Sequence, residues 1–338
     1  MIAIKGGTII TITDGILKNA VILVEEGKIK VIGTNIEIPQ DAQVIDASNH
    51  YIMPGLIDAH THISTFNEPR TLRDLSDGNE MSSPITPYIR AMDALNPEDF
   101  AIKKVREAGF TTVCTLPGSA NVIGGTGITF KLRGKTANEM IIEGTEQMKI
   151  ALGENPRGVY GKDGKLPMTR MGVAGLLRKT LSEAKVYAKL KETETDPKFD
   201  FAMESLVKVI RGEMKVRIHA HRSDDIMTGI RIAEEFNLDY SIEHATEGYK
   251  IADILAEKGV TCVIGPILKA PYKQELHGRM PEDAGILQKA GVPICITADT
   301  SSETAWLPAR IGHLIRRGLE ESAAFEAITL TPAKLLGI

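Results

Sequence analysis

Eight short apolar runs constrain this chain more than any other feature: GLIDAHTH (55–62), FTTVCTL (110–116), ITFKLR (128–133), QMKIAL (147–152), KVRIHAH (215–221), DYSIEH (239–244), VTCVIG (260–265) and VPICITAD (292–299). Each has the length and composition of a strand, and helical patterns lie between most of them. PEDFAIKKVREAG opens on Pro and acidic residues and closes on Gly, the expected helix end signals. TRMGVAGLLRKTLSEAKVYAKL, DDIMTGIRIAEEF, KIADILAEKG and EDAGILQKAG follow, and ETAWLPARIGHLIRRG and ESAAFEAITL come after the eighth run. Eight strands with intervening helices predict an α/β fold, a (β/α)8 TIM-type barrel over 53–338. The third crossover is the weak one: only GKTANEMIIEGTE separates the third and fourth runs, and it carries no long helical pattern.

Residues 1–52 have a different rhythm. IAIKGGTIITITDG, AVILVEEGKIKVIG and AQVIDAS are β-branched runs broken by Gly, Asp and Asn, which predicts hairpins of a small antiparallel sheet. The chain of 338 residues has a net charge of −4 and no basic stripe, so nucleic acid is not an expected partner. No apolar run approaches the ~18 residues of a membrane span. MIAIKGGTII lacks the shape of a signal peptide. Cys114, Cys262 and Cys295 stand apart in apolar runs and read as buried reduced thiols. These features together predict a cytoplasmic chain; a homo-oligomer stays open.

In such a barrel, chemistry sits at the C-terminal strand ends. On a strand, residues i and i+2 point to one side, so His60 and His62 face one point in space. His219 and His221 repeat that spacing at the end of the fifth run. His244 ends the sixth, and Asp299 the eighth. Five of the eight histidines are thus strand-terminal; His50, His277 and His313 are not, and read as surface or packing residues. A single such His is more often a hydrogen-bonded structural residue, and a single such Asp a helix cap. Five imidazoles and a carboxylate gathered at one barrel mouth instead predict a metal centre.

Lys149 lies inside the fourth run, where a strand is buried on both faces. It reads two ways. It either reaches the rim or an acid, or is desolvated so that its neutral amine becomes available. A neutral amine adds carbon dioxide to give a carbamate, a carboxylate able to bridge two cations.

The ordered set GLIDAHTHIS, MKIALG, RIHAH, SIEHAT and ITADT resembles the amidohydrolase superfamily of metal-dependent hydrolases, within it most nearly the imidazolonepropionase-related group that includes prolidase-like enzymes. The lead-in YIMPGLIDAHTH and the ending AITLTPAKLLGI are also similar, so the resemblance spans the chain. It implies a β-sandwich-like domain over 1–52 and an amide-type C–N hydrolase acting on a small molecule: a dipeptide, an N-acyl amino acid or a cyclic amide. It implies two divalent metal ions, with zinc the first candidate, although Fe, Mn and Ni suit the same donors. His60 and His62 would bind the more buried ion, His219 and His244 the second, carboxylated Lys149 would bridge them, and Asp299 would ligate a metal and move the proton. His221 would lie beside the ligands or face substrate.

Two departures stand out. Single-metal members typically carry Glu three residues after the fifth-strand His; Arg222 stands there, which argues against a deaminase or cyclic-imidazole hydrolase. Family members also usually continue beyond this point with strands that return to the sandwich, whose edges are otherwise left unpaired. A non-catalytic scaffold relative is the rival of another class. For substrate contacts, the Gly-rich LPGSANVIGGTG (116–127), with Asn121, reads as a tight substrate loop. GENPRGVYG (153–161) offers Arg157 and Tyr160, with Glu154 as an alternative fourth-strand ligand. Arg157, Arg170 and Arg222 are candidates to grip a carboxylate. Segment 64–96 reads as a lid or a surface excursion.

Overall fold

The computed structural model describes residues 1–66, 68, 76–193 and 198–338. The chain divides into two compact units, Met1–Gly55 and Leu56–Ile338.

In the first unit, Ile2–Lys5, Val21–Glu25, Lys28–Gly33 and Gln43–Asp46 form a four-stranded sheet, and Thr8–Ile10, Ile16–Lys18 and Tyr51–Ile52 a three-stranded one. Val21–Glu25 turns into Lys28–Gly33 through Glu26 and Gly27, both at positive φ, as a two-residue hairpin turn requires. The all-antiparallel expectation needs correction at two places. Gln43–Asp46 joins Ile2–Lys5 in parallel, and Tyr51–Ile52 joins Thr8–Ile10 in parallel. Each pair is separated by enough chain for the crossover that parallel pairing needs. Ile9 and Ile52 of the smaller sheet share an apolar cluster with Ile22, Val24 and Ile32 of the larger.

In the second unit, all eight expected strands form: β1 (Leu56–Thr61), β2 (Phe110–Thr115), β3 (Ile123–Lys131), β4 (Gln147–Ala151), β5 (Val216–Ala220), β6 (Tyr240–His244), β7 (Cys262–Ile264) and β8 (Ile294–Ile296). They lie side by side in sequence order. The sheet curls until the end of β8 meets β1, where His62 N donates to Thr300 O (3.0 Å) and Thr297 Oγ1 to His60 O (2.5 Å).

β3 departs from the expected all-parallel barrel. It runs antiparallel to both β2 and β4. Only residues 116–122 join β2 to β3, too short for a parallel crossover, which needs about a dozen residues or more. β3 also begins earlier than the expected 128–133, because its first half is hidden by glycines. Gly125 shows why they are there. Its φ is +102°, and a Cβ would lie 2.2 Å from Ile89 O. Thr126 N donates to that same carbonyl at 2.8 Å, so the described part of 64–96 is stitched to β3; the lid expectation otherwise falls partly on residue 67 and residues 69–75, outside the described residues.

Phe100–Glu107 follows β1, capped by Asp99, which accepts from Ala101 N. Arg170–Thr193 lies between β4 and β5 as expected, but Phe201–Ile210, capped by Asp200, is a helix the sequence reading passed over. Between β3 and β4 there is only Ala137–Met140. Leu330–Leu336 closes the N-terminal end of the barrel: Gln147 Nε2 donates to Leu335 O (3.1 Å), and Leu335 and Leu336 pack with Ile57, Cys114 and Cys295. The three cysteines are buried and free. No described helix is long and apolar enough to cross a membrane.

Candidate metal centre

The inward-facing positions of the barrel are polar. Asp58 and His60 on β1, Gln147 and Lys149 on β4, Arg217 and His219 on β5, and Ser241 and Glu243 on β6 alternate with apolar residues, and all are buried. Arg217 is the hub. Its Nε and Nη2 donate to the two Glu243 oxygens (2.6 and 2.8 Å), Nη1 to Gln147 Oε1 (2.8 Å) and Nη2 also to Ala59 O (2.9 Å). Burial alone would raise the Glu243 pKa, but the Arg217 guanidinium and His60 hold it well below the usual carboxylate range. Glu243→Gln is expected to destabilise the protein by about 3–5 kcal/mol in urea unfolding, since it leaves the Arg217 charge buried and unpaired.

Glu243 also fixes His60. His60 Nδ1 lies 2.6 Å from Glu243 Oε2, and an ionised carboxylate accepts only, so Nδ1 carries the proton and Nε2 presents its lone pair. The same logic holds for His62, whose Nδ1 donates to Leu116 O (2.9 Å), and His244, whose Nδ1 donates to Gly265 O (2.8 Å). His221 Nδ1 is 2.7 Å from Thr246 Oγ1. His219 Nδ1 is buried with no hydrogen-bond partner among the described residues. Burial lowers the pKa of His60, His219 and His221 well below the ordinary value, and that of His244 to about 4, so these rings are neutral at neutral pH. Neutral imidazoles with free lone pairs are what a divalent cation requires.

Two donor groups result. Asp299 Oδ1 lies 3.5 Å from His60 Nε2 and 3.3 Å from His62 Nε2. His219, His221 and His244 form the second group, with donor atoms all within 4.8 Å of one another. The groups adjoin, with the His60 and His244 ring centroids 5.1 Å apart. Asp299 supplies the carboxylate of the first group, its Oδ1 facing both ring nitrogens. Lys149 Nζ stands 3.3 Å from His60 Nε2. Burial lowers its pKa to about 8. The residues therefore fit the metal pair the sequence implies. His244 (φ 73°) and Asp299 (φ 52°) hold the left-handed backbone that non-glycine residues disfavour, and this turns their side chains into the mouth.

His62, Lys149, His219, His221, His244 and Asp299 line one cavity of about 720 Å³, and Gly118–Ala120 of the Gly-rich loop form part of its wall. The four expected substrate contacts do not line it. Asn121 Nδ2 donates to Glu80 O, Ser83 O and Thr86 Oγ1, and Tyr160 Oη to Ser83 O (2.8 Å), so both brace segment 80–86. Arg222 is occupied by Asp224 at 2.9 and 2.8 Å, and with Arg157 it borders a neighbouring groove. Arg170 is held by Asp225 at 3.0 Å. Glu154 lies on the cavity wall, its Oε2 accepting from Glu275 N (3.1 Å).

Several site residues escaped the sequence reading. Arg217 and Glu243 left a signal, charges at inward strand positions beside the histidines. Glu275, Lys273 and Asn155 left none, because they come from the segments that follow β7 and β4 rather than from strand positions. Glu275 Oε1 lies 3.9 Å from His219 Nε2 and 4.0 Å from His221 Nε2.

The nearly closed eight-stranded barrel thus carries at its mouth two histidine-rich groups of side chains that could hold metal ions. The sequence matches the family described as "Amidohydrolase family" over residues 51–338, and the chain belongs to it. An amidohydrolase from Thermotoga maritima MSB8 of known structure is 39% identical, with a TM-score of 0.95 over 100% of this chain and 89% of that one. The protein described as amidohydrolase tasK of Hapsidospora irregularis is 26% identical over 94% of this chain, which spans only 36% of that relative's length. A prolidase solved in complex with N-methylphosphonate-L-proline shares the fold, with a TM-score of 0.61 at 15% identity over 99% of this chain and 87% of that one.

Proposed function

We propose that this protein hydrolyses an amide-type C–N bond of a small molecule at a two-metal centre. The observation that carries the reading is Lys149. It is buried between the two donor groups, and its hydrogen-bond partner is an imidazole rather than a carboxylate. With a pKa of about 8, part of the population carries a neutral amine at neutral pH. That amine attacks carbon dioxide, loses a proton and becomes a carbamate facing both groups. In this reading His60, His62 and Asp299 would hold one ion and His219 and His244 the other, with the carbamate of Lys149 as a donor available to both. Zinc suits these donors.

The bound ions supply a lowered water pKa and a polarised carbonyl. Asp299, a largely buried carboxylate that lines the cavity, accepts the proton of the attacking water and returns it to the leaving nitrogen. His221, its Nδ1 held by Thr246, turns Nε2 to the cavity and contacts substrate. His60 stays beneath, anchored through Glu243 to Arg217.

Metal content by elemental analysis, on protein purified without chelators, is expected to be two per chain and to fall to one in Lys149→Ala. A single metal in both proteins would overturn the bridged pair. One observation favours that second, mononuclear reading: Glu275 brings a carboxylate beside His219 and His221 although Arg222 occupies the sequence position where one was sought.

A further inference from the structure

We propose that the cavity selects substrates carrying a free carboxylate close to the scissile bond, anchored by Lys273 and Lys269 of the β7–β8 connection. This rests on the hydrolase reading and narrows it to N-acyl amino acids and dipeptides, excluding neutral amides. Both lysines line the cavity of the metal centre. The Lys273 side chain is nine-tenths buried, at 10% exposure. Its Nζ donates to Asn155 Oδ1 (2.9 Å) and Glu275 Oε1 (3.0 Å). An ammonium has three N–H donors, so one is left for a ligand.

The ammonium is built into place. Glu275 orients it, and Glu275 is itself fixed because its Oε2 accepts from Glu154 N (2.9 Å) and lies 3.8 Å from Arg170 Nη2. Asn155 sets its distance from the chemistry. While its Oδ1 accepts from Lys273, its Nδ2 stands 3.4 Å from His219 Nε2. The charge therefore sits one side chain away from the second donor group, and an anion held there is only a few bonds from an amide carbonyl at that centre. Lys269 adds a second ammonium with no carboxylate within 4.0 Å among the described residues. The arginines that sequence alone offered for this role, Arg157, Arg170 and Arg222, border the neighbouring groove instead. A carboxylate is the anion that meets two separated ammonium groups with charge-assisted hydrogen bonds at this scale.

The test uses N-acetyl-L-alanine and its C-terminal amide as probes, with binding to the purified protein followed by calorimetry. The acid is expected to bind about tenfold more tightly than the amide, the effect of one hydrogen bond to a charged group. Lys273→Met is expected to erase the preference, and Lys273→Arg to retain it, which a merely structural role would not do. Lys269→Met, at the half-buried position that also lines the cavity, is expected to weaken it. Equal binding of the two probes, no binding of either, or an intact preference in both Met variants would overturn the proposal. Acid-selective binding without hydrolysis of any acylated amino acid would count against the hydrolase reading while leaving the anchor standing. Hydrolysis of acid and amide with equal kcat/KM would do the reverse.

Discussion

His60→Ala is expected to lose both bound metal and turnover while leaving a folded protein. The ring is fully buried at the junction of three systems: the carboxylate of Glu243, the amine of Lys149 and the carboxylate of Asp299. Removing it deletes the buried, Glu243-anchored donor of the set proposed for one ion and leaves His62, Asp299 and Lys149 without the ring that positions them, so that ion is expected to be lost. It also takes from Glu243 one of its hydrogen bonds, although Arg217 continues to neutralise that carboxylate. The stability cost is therefore expected to be modest beside the chemical one. Elemental analysis and circular dichroism on the same sample check this. A variant that keeps its full metal content would remove His60 from the centre.

Asp299→Asn is expected to separate binding from chemistry. The amide keeps an oxygen in the same place, so most of the metal stays. It has no basic oxygen to take a proton, so kcat is expected to fall by about 10²–10⁴-fold, the usual worth of a positioned acid–base. The site is arranged for this division. His60, His62 and His244 are set by their own hydrogen bonds to Glu243, Leu116 and Gly265, so their donor positions do not depend on the basicity of Asp299. Near wild-type turnover with normal metal content would sink the assignment of Asp299 as the proton carrier.

Much of the barrel was legible because strand periodicity and chemistry coincide. The i, i+2 rule aligns His60 with His62 and His219 with His221, and the runs that hold them end in β1 and β5. The start of β3 was illegible for a local reason: glycines 124, 125 and 127 remove the apolar signal, and at 125 and 127 a Cβ would meet Ile89 O and Leu116 at 2.2 Å. Its reversed direction follows from the short connection of residues 116–122. Asn155, Lys273 and Glu275 were illegible because the segments after β4 and β7, far apart in sequence, meet only after the barrel has closed. Asn121 precedes β3 and Tyr160 ends the helix after β4, and nothing in a sequence tells a side chain there that faces the cavity from one that faces the segment covering it.

The left-handed backbone at His244 and Asp299 gives this centre a direction of drift. Glycine at either position would relieve conformational strain of order 1 kcal/mol or more and delete a donor at the same time. A population selected for thermal endurance alone should therefore accumulate glycine or asparagine at 244 and 299 early, and go silent before it goes unstable. Mutational libraries sorted by folding and by turnover should part company at these two sites more sharply than at His62 or His219, where neither residue is recorded at positive φ.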